Sequence, residues 1–116
     1  MQWLFLVAPA VLLACGDDSN SPNTPDADVL IVSGAEGKGP NAYDPNPFPV
    51  SLAAGGVVKW GNDDGETHTV TADDVSFSSG NIGSGNTFSH TFTTVGAVAY
   101  HCSIHPTMVG TIQVNP

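Results

Sequence analysis

Positive charge is nearly missing from this sequence: Lys38 and Lys59 are its two Lys or Arg residues, against eleven Asp or Glu, for a formal net charge of −9. A nucleic-acid binder needs Lys and Arg to displace counterions from phosphate, so no nucleic acid is expected as a partner. Electrostatic attraction to an anionic membrane surface is excluded on the same ground. A basic or neutral protein partner stays open, because an acidic surface steers such an encounter. Cysteine is also scarce, at two residues. Cys15 ends an apolar run and Cys102 sits in a cluster of His and Met, so each thiol has a better use than a Cys15–Cys102 disulfide. No stretch repeats its apolar residues with helical periodicity. What is plentiful is Gly and Pro, 13 and 9 of 116 residues. They punctuate short strands and break helices, which leans the chain towards an all-β fold. The length leaves room for one domain and a tail.

The run Trp3 to Ala14 is almost wholly apolar and then turns abruptly to Gly16-Asp17-Asp18-Ser19-Asn20. It is too short to span a membrane and fits the apolar region of a secretory signal, residues 1–14. Leu12-Leu13-Ala14-Cys15 resembles the lipobox of bacterial lipoproteins. That resemblance implies cleavage before Cys15 and lipidation of its sulfur. The protein is then expected to be exported, periplasmic or at the cell surface, touching a membrane through the lipid anchor alone. A plain cleaved signal or a core strand is the blander alternative. Residues 15–27, rich in Ser, Asn, Pro, Thr and Asp, bury too little to offset their ordering entropy and read as a flexible linker. The domain is expected over residues 28–116.

Within it, Asp28 to Val32 reads as a first strand. Gly37 to Pro47, with five Gly or Pro, reads as loop. Strands are expected over Phe48–Leu52, Val57–Gly61, Thr67–Thr71, a segment around Phe88–Phe92, Ala97–Cys102 and Val109–Val114. Phe88, His90 and Phe92 share one parity against Ser89 and Thr91, the pattern of a half-buried strand, which makes His90 a core-boundary residue. Seven or eight short strands at this spacing fit a Greek-key β-sandwich or barrel.

The chemistry gathers in Tyr100-His101-Cys102-Ser103-Ile104-His105-Pro106-Thr107-Met108. Cys102, His105 and Met108 stand three apart between two expected strands. His105 precedes Pro106, and the residue before proline is pushed out of the helical region, so the loop turns rather than coils. A second imidazole must come from elsewhere, and His68 is the natural candidate. Taken singly, Cys102 reads as an inert buried thiol, His68 as a strand histidine and Met108 as a filler of the core. Together, two His, a Cys and a weak thioether donor form the set that suits a mononuclear copper; zinc gains little from Met.

Tyr100 to Val114 resembles the C-terminal loop and strand of the cupredoxins, with the C-x-x-H-x-x-M spacing of the amicyanin branch. Trp60-x-Asn62, Thr67-His68-Thr69-Val70 and Phe88-x-x-Thr91-Phe92 extend the resemblance over nearly everything from Asp28 onward. It implies a cupredoxin-like sandwich, one Cu(I)/Cu(II) ion on His68, Cys102, His105 and Met108, and a monomeric one-electron carrier between protein redox partners. Thr69 stands where many members carry an Asn that ties two loops together, so a shorter tie is expected of its hydroxyl. Ile104 stands where amicyanin-like loops hold Pro, and its N–H is expected to reach the Cys102 sulfur. His101, pointing away from the metal, sits where plastocyanins carry an aromatic residue used by partners, which makes it an electron-exit candidate. Asp63, Asp64 and Glu66 read as a solvated turn, with partner steering as the other use.

Enzymes built on this fold, the multicopper oxidases and copper nitrite reductases, need further copper sites and several domains. Ser103 follows Cys102 and no His-x-His pair occurs, so no enzymatic activity is expected. Copper storage would favour Met-rich or His-rich tracts, and two Met residues make none.

Overall fold

The computed structural model describes residues 24–116, so the expected signal and Cys15 lie outside the described residues. Eight strands follow in chain order: β1 (Val29–Ile31), β2 (Tyr43–Asp44), β3 (Phe48–Ser51), β4 (Val57–Asn62), β5 (Thr71–Ala72), β6 (Thr87–Thr91), β7 (Gly96–His101) and β8 (Val109–Asn115). They form two four-stranded sheets, ordered β2-β1-β4-β6 and β3-β8-β7-β5. The β1–β4 and β3–β8 pairs are parallel, and the remaining pairs are antiparallel. Helical structure among the described residues is confined to three one-turn 3-10 helices, as expected of a chain so rich in Gly and Pro.

Alternation puts one face of each strand inside. Val29 and Ile31 of β1, Val58 and Trp60 of β4, and Ile112 and Val114 of β8 are all fully buried between the sheets. Trp60 is the centre of an aromatic cluster, with Tyr100, Phe88, Phe77 and Phe92 at ring-centroid distances of 5.5, 5.8, 6.3 and 6.4 Å. Tyr43 meets Tyr100 edge-on at 4.7 Å. Gly110 faces Tyr100 across β7 and β8. A Cβ at Gly110 would run into the Tyr100 phenol ring, so only glycine leaves that ring its place. On the outside of β4, Pro25 and Ala27, the end of the expected linker, rest on Gly61. Asp28 then joins the sheet through bonds in both directions with Lys59.

Three expectations need correction. The region 37–47 is not all loop, because Tyr43–Asp44 pairs with β1 and buries Tyr43. Leu52 leaves the third strand for a one-turn helix over Leu52–Ala54, which Ser51 caps through its hydroxyl. The strand expected over Thr67–Thr71 shrinks to Thr71–Ala72, with His68 bridging Ile82 alone. The cause is where the amides go. The Thr69 N–H donates to the Cys102 sulfur and the Val70 N–H to the Ser79 hydroxyl, so neither is free for a continuous ladder.

Candidate metal centre

The strand ends at one edge of the sandwich bring the expected residues together. Cys102 follows β7, His105 lies on the loop and Met108 precedes β8. The loop is pinned by its own backbone: the Cys102 N–H donates to the Met108 carbonyl at 3.1 Å, and the Met108 N–H to the His105 carbonyl at 2.9 Å. Cys102, Met108 and His68 are fully buried, whereas His105 keeps part of its ring exposed. The Nδ1 atoms of His68 and His105 lie 3.8 and 4.0 Å from Cys102 Sγ, and the two rings are 5.1 Å apart. A first-row ion such as zinc, about 2.3 Å from sulfur and about 2.0 Å from nitrogen, spans a sulfur–nitrogen gap of up to about 4.3 Å. The three donor atoms therefore leave an ion's room between them, and the donor set is the soft and borderline mixture that copper takes.

Around these donors lies a set of fixed hydrogen bonds. The Cys102 sulfur accepts the Thr69 N–H at 3.3 Å. This corrects the role expected of Ile104, whose N–H makes no hydrogen bond to that sulfur among the described residues; the segment that carries His68 supplies the donor instead. The Thr69 hydroxyl accepts the Ser103 N–H at 2.8 Å, so the short tie expected of Thr69 joins the two ligand-bearing segments. It also lies in a row of hydroxyls, 3.1 Å from Ser103 Oγ and 3.0 Å from Thr71 Oγ1.

Asp64 is not part of a solvated turn. It is buried, and its Oδ2 lies 2.7 Å from Nε2 of His68. Burial alone pushes its carboxyl up, but hydrogen bonds from His68 and from the Gly34 and Gly65 amides outweigh this and hold it below the usual carboxylate range. Glu66 and Glu36, both exposed, stand 3.8 and 3.7 Å from Nε2 of His105, beyond hydrogen-bonding range. Sequence reasoning missed Asp64 and Glu36. An acid four residues before the first His was the available signal for Asp64; nothing near Glu36 marks it.

His101 turns outward from β7, half exposed, with Nδ1 2.6 Å from Asp73 Oδ1. It takes no place among the donors. His90 stacks on Phe77 at 4.1 Å at the core boundary.

A family model for copper-binding proteins of the plastocyanin/azurin family matches residues 30–115. A search of curated protein sequences found no match. Among solved structures, the chain is similar to a purple cupredoxin from Nitrosopumilus maritimus, at 32% identity and a TM-score of 0.67, over 78% of this chain and 100% of that one. It is similar to a domain-sized part of a copper-containing nitrite reductase from Thermus scotoductus, at 26% identity and a TM-score of 0.62, over 97% of this chain but 27% of that one. A reduced variant of amicyanin shares the fold at 24% identity, with a TM-score of 0.60 over 75% of this chain and 79% of that one. The family match covers most of the chain, and the cluster of His68, Cys102 and His105 beside buried Met108 has the donors such a protein needs. The chain belongs to the plastocyanin/azurin family of copper-binding proteins, in the cupredoxin fold, and copper is its cofactor.

Proposed function

We propose that this protein is a one-electron carrier whose copper is held by His68, Cys102, His105 and Met108. The observation that carries the reading is one buried thiol with an imidazole Nδ1 at 3.8 Å and another at 4.0 Å, set in a loop tied at both ends. When bound, copper supplies the one-electron Cu(I)/Cu(II) couple. The residues do the rest. Cys102, His68 and Met108, all buried, keep water away. The Thr69 amide stabilises negative charge on the Cys102 sulfur, and the Thr69–Ser103 tie keeps the two ligand segments at one distance in both redox states. The part-exposed ring of His105 offers a short way out for an electron.

The test is the visible spectrum of the copper-loaded chain. A thiolate-to-copper charge-transfer band and reversible one-electron reduction are expected. Cys102→Ala is expected to abolish the band while leaving a folded sandwich. A colourless copper complex in the native protein refutes the reading.

The carrier works as a monomer on protein redox partners, without substrate turnover. Export and a lipid on Cys15 complete the proposal and are supported by Leu12-Leu13-Ala14-Cys15 and the apolar run before it. The mature protein is then expected to partition into detergent, and Cys15→Ser to release it into the aqueous phase. Equal partitioning of the two forms removes the anchor from the proposal and leaves the metal centre untouched.

A further inference from the structure

We infer that Asp64 is a positioning residue for the metal centre: it holds His68 in the tautomer that carries its proton on Nε2 and leaves the Nδ1 lone pair facing Cys102. The inference rests on His68 being a copper ligand. A neutral imidazole has one N–H, and either nitrogen can bear it. An ionised carboxylate only accepts, so the 2.7 Å contact between Asp64 Oδ2 and His68 Nε2 requires the proton on Nε2. Nδ1, 3.8 Å from the sulfur, is then bare and ready to bind.

The carboxylate cannot turn away. Its Oδ1 accepts the Gly34 N–H at 3.0 Å and the Gly65 N–H at 2.9 Å. The Asp64 N–H donates to Asn62 Oδ1 at 2.9 Å. Asn62 is fully buried at the end of β4, and its amide donates to the carbonyls of Glu66 and Ile82 at 2.7 and 2.9 Å. Ile82 in turn bridges the backbone of His68 in both directions. Asn62, Asp64, His68 and Ile82 thus close a ring of hydrogen bonds with the metal-facing nitrogen on its outside. Among the described residues His105 has no such clamp, since its two carboxylate neighbours stand beyond hydrogen-bonding range.

A carboxylate on the far nitrogen makes an imidazole a stronger donor and places a negative charge behind it. Both effects favour Cu(II) over Cu(I). Asp64→Asn keeps an acceptor for the Nε2–H and removes the charge. The preference for Cu(II) is expected to fall about tenfold, the lower end of what such partners contribute, which raises the one-electron potential by ~59 mV.

The experiment uses the full-length chain in two measurements. Nitrogen NMR of the metal-free wild type with labelled histidine, followed up in pH until the His68 ring is neutral, is expected to show that neutral ring protonated on Nε2 alone, and Asp64→Ala to show both tautomers. Voltammetry of the copper-loaded wild type and Asp64→Asn is expected to show the upward shift with the charge-transfer band retained. A neutral wild-type His68 ring protonated on Nδ1, or an unmoved potential in Asp64→Asn, overturns the inference. If the variants do not fold, the wild-type tautomer decides alone. Lack of the band in the wild type sinks the copper assignment itself, whereas a band with an unmoved potential sinks the role of Asp64 only.

Discussion

Thr69 concentrates three ties in one residue. Its N–H donates to the Cys102 sulfur, its hydroxyl accepts the Ser103 N–H, and its carbonyl accepts the Tyr43 hydroxyl at 2.8 Å. Thr69→Val keeps the shape, the amide and the carbonyl, and takes only the hydroxyl away. The Ser103 N–H, on an exposed residue, then loses its acceptor, at about 0.5–1.5 kcal/mol. Denaturant unfolding of the metal-free protein is expected to show an unfolding free energy lower by that amount, and so a lower midpoint, with the colour of the copper form preserved; an unchanged midpoint shows that water replaces the hydroxyl. Ile104 makes the opposite case. Proline there removes an N–H that does not bond the sulfur, so Ile104→Pro is expected to leave the potential where it was, and a clear fall on voltammetry would place that amide on the sulfur after all.

At the scale of strands and loops, legibility followed compactness. Cys102, His105 and Met108 could be found because three donors share one short loop, and a strand over Val109–Val114 could be read because Ile112 and Val114 share one parity, the face that the fold buries. β2 escaped because two residues among prolines carry no period, and only Tyr43 reaching the core marks them. β5 came out short because the amides before it serve side chains across the fold, which no local pattern announces. Asp64 was hidden for a related reason: its contact with His68 is made by a loop that Asn62 closes, so its charge argued for solvent while its neighbours drew it inside. The β7–β8 pair offers a sharp test of the packing. Gly110→Ala sets a methyl against the Tyr100 ring, itself held between Tyr43 and Trp60, and is expected to cost about 1–3 kcal/mol of stability. A urea midpoint equal to that of the wild type refutes this contact.

Over the whole molecule, the sequence holds two tyrosines, Tyr43 and Tyr100, and both are buried. Burial pushes both phenols up, and for Tyr43 nearby Cys102 adds to the effect. In the unfolded chain the same phenols ionise near pH ~10. Below that pH both states hold the protons and nothing is lost; above it the unfolded state releases them first, so stability falls as pH rises. An alkaline titration is expected to show no phenolate absorbance until the protein unfolds, and then both phenols together. A gradual phenolate signal in the folded state counts against the burial of one ring. The place of β8 has a consequence of another kind. It lies between β3 and β7 in its sheet, yet follows every metal-binding residue in the chain. Until that strand docks, the loop that carries a thiol, an imidazole and a thioether is held to the sandwich at its β7 end alone. The donors of that loop take their fixed places only once β8 lies between β3 and β7.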